Sequence, residues 1–227
     1  VNRKFNVRQI FFESGDHEEI FNEIALTPLD GLVWIDNPAP DEALLKRLLE
    51  RKLPVIIDHE KFDFINVVGF DFMGMMTRLA AQLAAEGKQR LLWCMPDYET
   101  RTALPLFKQI FEQGRPGAEV VALIPNSYDF AKELDKTLAG PPLDVVCSHR
   151  RYADLVRQHY QGSKIAPEYL NWQIIAPEEA ADKKTGWVFS LAERGEVMAG
   201  RMEQMLHHDQ PVQKILLDMY LKREGDK

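Results

Sequence analysis

Short apolar runs alternate with amphipathic stretches along nearly the whole chain. The runs at 31–36 (GLVWID), 53–58 (LPVIID), 65–72 (INVVGFDF), 90–95 (RLLWCM), 119–124 (EVVALI), 143–148 (LDVVCS) and 171–176 (NWQIIA) are short and apolar on successive residues. That pattern predicts strands covered on both faces. Between them, 41–52 places Leu44, Leu45, Leu48 and Leu49 at helical spacing, and 73–87 reads as a helix ending at Gly87. Residues 98–113, 128–138 and 149–161 also read as helices, with Pro105 marking a kink or an irregular first turn in the first of these. At the ends of the chain, 5–12 reads as a strand and 18–25 as a helix behind the capping signal Ser14-Gly15-Asp16. Residues 187–189 read as a short strand, 192–207 as a long helix, and 212–221 as a final strand pair or extended segment.

Strands and helices alternating at these lengths predict an α/β fold, with parallel sheets joined by right-handed crossovers. At 227 residues the chain allows one large unit or two lobes. No stretch rich in Gly, Pro or Ser separates two halves, so two lobes linked by several chain crossings fit better than two beads on a string.

Composition narrows the function. Hydrophobic residues at 45% and charged residues at 28% describe a folded protein. A net charge of −7 argues against a surface built for nucleic acid, which needs a clustered excess of Lys and Arg. The basic clusters Lys46-Arg47, Arg51-Lys52 and Arg150-Arg151 are short and read as solvated faces, Arg150 excepted. Cys94 and Cys147 each sit inside an apolar strand and read as small buried hydrophobes in a reducing compartment. No apolar run approaches the ~20 residues of a membrane helix, and the opening VNRKFNVRQI has no signal-peptide core, so a cytoplasmic location is expected.

Catalytic motifs are missing: no GxGxxG, P-loop, HExxH or GxSxG stands in a strand-turn-helix context, and neither an enzyme nor a cofactor is expected. His207-His208-Asp209 reads as a solvated helix end, not a metal site, because adjacent helical residues point in different directions. In open α/β sheets, ligands bind beyond the carboxyl ends of the strands. That rule nominates Asp71 and Phe72, residues 95–101, Ser148 with His149 and Arg150, 176–178, and 189–191.

Several strings, in order and at matching spacing, resemble the lac repressor and galactose repressor family of transcriptional regulators. DGLVWID is similar to the family's "DGIIL" strand, LPVIID to "PVV.ID", residues 67–87 to the helix "DN..G...A..HL...GH", and ILLDMYLKREG to the ending "L..R.S". The resemblance implies the effector-binding core of such a regulator, with two similar parallel-sheet lobes of the periplasmic-binding-protein type I fold joined by three crossovers. It implies a first lobe of 1–88 plus about 190–208, and a second of 89–189 plus about 209–227. By the same alignment VNRKF matches the tail of the family's first helix, so the first strand, most of that helix and the DNA-binding headpiece are expected to lie outside this sequence.

The family's sugar-gripping arginine falls at Arg101, its "ND" pair at His149 and Arg150, and its next cleft aspartate at Glu178. An arginine in place of an aspartate suggests an anionic effector such as a sugar phosphate or sugar acid, held by Arg101 and Arg150 in the cleft between lobes. Arg150 turned outward toward Glu178 or solvent is the competing arrangement. Asp71 suits either sugar hydroxyls or a helix N-cap, and Trp187 and Phe72 suit either sugar stacking or core packing. Trp34 and Trp93, in mid-strand, read as core. The implied partners are a small sugar-like effector, operator DNA through the headpiece, and a second copy of the chain, with no membrane. Pairing of copies would use the helices at 41–52 and 73–85, where Met73, Met75 and Met76 suit an adaptable interface or plain core. The alternative function is a periplasmic sugar-binding protein of a transport system.

Overall fold

A computed structural model describes residues 5–10, 17–35, 40–58, 62–125, 127–161, 171–178, 185–208 and 210–221. In chain order the elements begin with α1 (His17–Leu26), β1 (Leu32–Trp34), α2 (Glu42–Glu50), β2 (Val55–Ile57), β3 (Asn66–Phe70) and α3 (Phe72–Ala85). They continue with β4 (Arg90–Cys94), α4 (Asp97–Thr102), α5 (Leu104–Gly114), β5 (Glu119–Leu123), α6 (Phe130–Ala139) and β6 (Val145–His149). The last are α7 (Arg150–Gln161), β7 (Asn171–Pro177), β8 (Thr185–Phe189), α8 (Leu191–His207), β9 (Lys214–Leu217) and β10 (Tyr220–Leu221).

Two compact units share this chain, Val1–Phe70 with Leu191–Leu217, and Asp71–Ser190 with Asp218–Lys227. The backbone therefore passes from one to the other three times, as the two-lobe α/β reading expects. The divisions differ from the expected ones. α3 leaves the first unit because it packs along α5, and β9 stays in it because it pairs in parallel with β3.

The first unit holds a parallel sheet in the order β1-β2-β3-β9. Ile20 and Ile24 of α1 and Leu44, Leu45 and Leu48 of α2 pack with Trp34, Val55, Ile57 and Val67. Ile56 and Val68 pack instead with Met198 and Met202 of α8. Successive residues of β2 thus bury in opposite directions, which is why the strand is apolar throughout. Each fully buried leucine of α2 contributes about 1.5–3 kcal/mol by leaving water. Asp41 starts that helix, accepting a hydrogen bond from the Leu44 N–H at 2.6 Å.

The basic cluster of α2 fastens it to α1. The Arg47 guanidinium lies 3.8 Å from the Phe21 ring centroid and pairs with Glu18, and Arg51 donates to the Ala25 carbonyl. Near the amino end of β3, Arg201 is 2% exposed and donates to Asn66 Oδ1 from Nε at 2.9 Å and from Nη2 at 2.7 Å. It also bonds Gln204 and the Pro211 carbonyl, while Asn66 Oδ1 accepts from the Gln213 N–H. Burial lowers the Arg201 pKa from its ordinary value.

The second unit holds a sheet in the order β10-β8-β7-β6-β4-β5, parallel except for the antiparallel β10. Leu92, Cys94 and Val146 face Phe130, Leu134 and Leu138 of α6 and Tyr152 and Val156 of α7. Trp93 meets Phe107 of α5, ring centroids 5.1 Å apart, and its indole N–H donates to Thr100 Oγ1 at 3.1 Å. Met75 and Met76 are buried in this unit, so these two methionines of the Met-rich run are core.

Two other expectations change. Residues 5–10 form no strand and are mostly exposed, and residues 11–12 and the capping signal 14–16 lie outside the described residues. A strand needs a partner, and among the described residues β1 pairs only with β2. The helix expected over 98–113 is two helices meeting at Ala103, because Pro105 in the first turn of α5 has no N–H to continue the ladder.

Both ends of α3 are built from signals in the sequence. Asp71 accepts from the Gly74 N–H at 2.9 Å. At the far end the Gly87 N–H reaches the Ala84 carbonyl at 3.0 Å and the Lys88 N–H reaches Leu83 at 3.1 Å, a Schellman motif with Gly87 at φ +75°. No neighbour lies within 4 Å of where a Gly87 Cβ would stand, so Gly87→Ala costs only the left-handed backbone, about 1 kcal/mol, as a shift of the urea midpoint will show.

Cys94 and Cys147 are free and fully buried. Burial pushes the Cys94 thiol up to about 12, a hydrogen bond with Ser148 offsetting it slightly, and pushes Cys147 up as well. Neither thiol is expected to react with an aromatic disulfide reagent at pH 8 until the protein unfolds. The fold favours the protonated thiols, so their contribution is complete below the ordinary thiol range and is lost as pH climbs from there through about 12. A denaturation series across that range is expected to show falling stability.

Candidate ligand-binding residues at the strand ends

The carboxyl ends of β4, β6 and β7 lie side by side in the second unit, because Cys94 pairs with Ser148 and His149 pairs with Ile175. Most of the nominated residues stand at or near this edge. Ser148 is fully buried, and its hydroxyl donates to the Cys94 carbonyl at 3.0 Å, with the His149 carbonyl also at 3.0 Å. Its place is structural support beneath the edge.

His149 ends β6 half-buried. Its Nε2 lies 3.3 Å from Glu99 Oε1, within ion-pair range but without hydrogen-bond alignment. Phe72 is stacked on the imidazole, centroids 6.3 Å apart and planes 6° apart. Arg150 follows as the first residue of α7 and is half-buried, and Glu178 is exposed just past β7.

Arg101 is engaged locally. Its Nε donates to Asp97 Oδ1 at 2.9 Å and its Nη2 lies 2.8 Å from Asp97 Oδ2, a forked pair one turn apart on α4 with the arginine side chain 78% exposed. Its charge is thus answered by a carboxylate on the same helix. Asp71, besides capping α3, lies 3.6 Å from Arg78 Nη1. Trp187 is 4% exposed, with the Arg78 guanidinium 5.8 Å from its ring centroid and its indole nitrogen buried without a partner. At that burial it packs as core. Trp34 and Trp93 are buried too, as expected.

Tyr98 and Glu99, inside the nominated stretch 95–101, and Arg78, which sequence reasoning passed over, complete the edge. Tyr98, 65% exposed, opens α4 in the loop after β4. Glu99 stands beside His149, and Arg78 lies two turns after Asp71 on α3, a spacing that puts both on one helix face. In the first unit the carboxyl ends of β2 and β3 carry Asp58 and Phe70, joined by Arg194 of α8. Its Nη1 is 3.2 Å from Asp58 Oδ2 and its guanidinium 5.1 Å from the Phe70 ring centroid.

A groove of about 990 Å³ also runs along α8 in the first unit. Gly195 and Ala199 line it beside Glu196, Gln204 and Gln213, and its one arginine, Arg201, is directed to Asn66. Among the described residues no cluster of His, Cys, Asp or Glu could hold a metal ion. His207 and His208 are exposed at the end of α8, and Asp209 lies outside the described residues. No helix among the described residues is long and apolar enough to cross a membrane.

No protein-family model matches the chain. No curated protein matches it either. Solved structures do. A LacI transcriptional regulator from Lactobacillus brevis is similar with a TM-score of 0.72 at 12% identity, over 91% of this chain and 83% of that one. A LacI family transcriptional regulator from Enterococcus faecalis V583 with bound ribose gives a TM-score of 0.69 at 14% identity, over 92% and 81%. The trehalose repressor from Escherichia coli gives 0.70 at 12% identity, over 92% and 84%. At such identities the likeness is one of fold, and it spans nearly the whole chain.

The buried Ser148 hydroxyl yields a direct test of its supporting place. Ser148→Ala removes its bond to the Cys94 carbonyl and is expected to cost about 1 kcal/mol, read as a lower urea midpoint with unchanged slope.

Proposed function

We propose that this chain is the effector-binding and dimerisation core of a transcriptional regulator of the lac repressor type. In this reading a sugar-like molecule binds at the carboxyl strand ends and alters operator binding by a DNA-binding headpiece, in a cytoplasmic homodimer. The observation that carries it is the fold: two parallel-sheet units threaded by three chain passages, similar over nine-tenths of the chain to solved LacI regulators. Related folds hold ribose in one regulator and serve a trehalose repressor in another, which supports a sugar-like effector here.

The geometry favours a neutral effector over an anionic one. The sequence suggested two guanidinium groups open to the ligand, but Arg101 is already forked onto Asp97. The same edge carries the carboxylates of Asp97, Glu99 and Glu178 with the Arg150 guanidinium, a mixed set suited to hydroxyl groups. Tyr98 offers an exposed ring face for the C–H side of a sugar.

The test is thermal stabilisation against neutral pentoses, hexoses, disaccharides, sugar phosphates and sugar acids. A ligand at 100 times its dissociation constant adds about 2.7 kcal/mol. Stabilisation by a neutral sugar is expected, weakened at least tenfold in affinity by Arg150→Ala and by Tyr98→Ala. Stabilisation by anionic sugars alone would restore the cationic reading, and no response from any sugar would overturn the sensor assignment.

A further inference from the structure

Two arginines, with the groups they hold, stand at or near the three passages between the units. The first passage lies between Phe70 and Asp71, the second between Ser190 and Leu191, and the third between Leu217 and Asp218. In the second unit, Arg78 reaches both the first and third points of entry. Its Nη1 lies 3.6 Å from Asp71 Oδ2, its Nη2 donates to the Met219 carbonyl at 3.1 Å, and Asp218 Oδ1 is 4.0 Å away. Its guanidinium also lies over Trp187 of β8, the strand with which β10 pairs. In the first unit, Arg194 stands one turn into α8, the element entered at the second passage, and holds Asp58 at the end of β2 while covering the ring of Phe70, the last residue before the first passage.

We infer that Arg78 and Arg194 are paired anchors, one in each unit, that fix the ends of the crossing segments. The inference goes beyond the proposed function and does not depend on it, since it concerns contacts within each unit and involves no ligand.

The physical case rests on one cation reaching two crossing segments at once. Among the described residues β10 has two residues and one neighbour strand, Tyr220 opposite Val188 and Leu221 opposite Trp187. So short a ladder frays readily without a further tie. Arg78 supplies one through a charged donor on the Met219 carbonyl, at the residue just before the ladder. Asp71 serves two partners at once, the Gly74 N–H and the Arg78 guanidinium, so the start of α3 and the start of β10 are tied to one cation. Arg194 is nearly buried, as is its carboxylate partner, so that tie is shielded from salt.

Hydrogen–deuterium exchange on the intact chain, resolved by peptide, separates anchoring from general stability. Arg78→Gln is expected to speed exchange roughly tenfold in peptides covering 71–76 and 218–221, with β4 and β6 unchanged. Arg78→Lys, which keeps a charged donor, should recover part of that protection. Arg194→Gln is expected to act in 191–196 and at the end of β2 while leaving the second unit unchanged. Where Arg194→Gln lowers the yield of folded protein, the double variant Arg194→Gln/Asp58→Asn removes the carboxylate charge left behind, and the same local pattern is expected. Unchanged exchange at the crossing segments, or a uniform rise across both units, overturns the inference.

Discussion

A parallel strand must bury both of its faces, and that requirement dictates how the chain is threaded. In the first unit Ile56 and Ile57 are neighbours that need cover on opposite sides. α1 and α2 supply it on one side, but the cover for Ile56 comes from Met198 and Met202 of α8, late in the sequence. The first unit is therefore complete only when the chain comes back to it. The second unit sets α6 and α7 on one face of its sheet, and its edge beyond β8 is occupied by β10, again after a return. Repeated passage follows from sheet coverage, and the residues at the passages become the natural places for ties such as those of Arg78 and Arg194.

Much of the fold was legible because strands covered on both faces announce themselves as unbroken apolar runs, and because caps are local chemistry. Asp41, Asp71 and Gly87 mark helix ends through bonds made within four residues. Other features depend on partners that no local pattern contains. Residues 5–10 carry a strand-like sequence, yet a strand exists only as one side of a ladder. The apolar stripe of α3, with Met75, Met76, Leu79 and Leu83, says that the helix buries a face but not against which sheet. Only its packing on α5 assigns it to the second unit, which is why the expected division fell on the wrong side of this helix.

The strand-end rule placed His149, Arg150 and Glu178 at or beside one edge, because parallel strands in register deliver their carboxyl ends together. It could not say which side chains were already committed. Ser148 is spent on the Cys94 carbonyl because the register sets those two residues opposite each other, a fact of pairing between distant segments. The Asp97–Arg101 pair was within reach of sequence reasoning, since a carboxylate four residues before an arginine on one helix is a favourable spacing. Arg78 was not, because its partner at Met219 is remote in sequence and is a backbone carbonyl that any residue type would supply.

That commitment bears on the charge the edge presents. Exposed ion pairs are individually weak, about 0–1 kcal/mol, so an incoming anion pays little to detach Arg101 from Asp97. The obstacle is what remains. Once the guanidinium turns to the ligand, the Asp97 carboxylate is left one helical turn away, with Glu99 on the same short helix, and both repel a phosphate or a sugar acid. A hydroxyl faces no such conflict, because it donates to a carboxylate and accepts from a guanidinium without separating the two. On the proposed reading of this edge as a ligand site, the forked Asp97–Arg101 pair would discriminate by hydrogen-bond pattern more than by net charge, a distinction that residue types alone could not reveal.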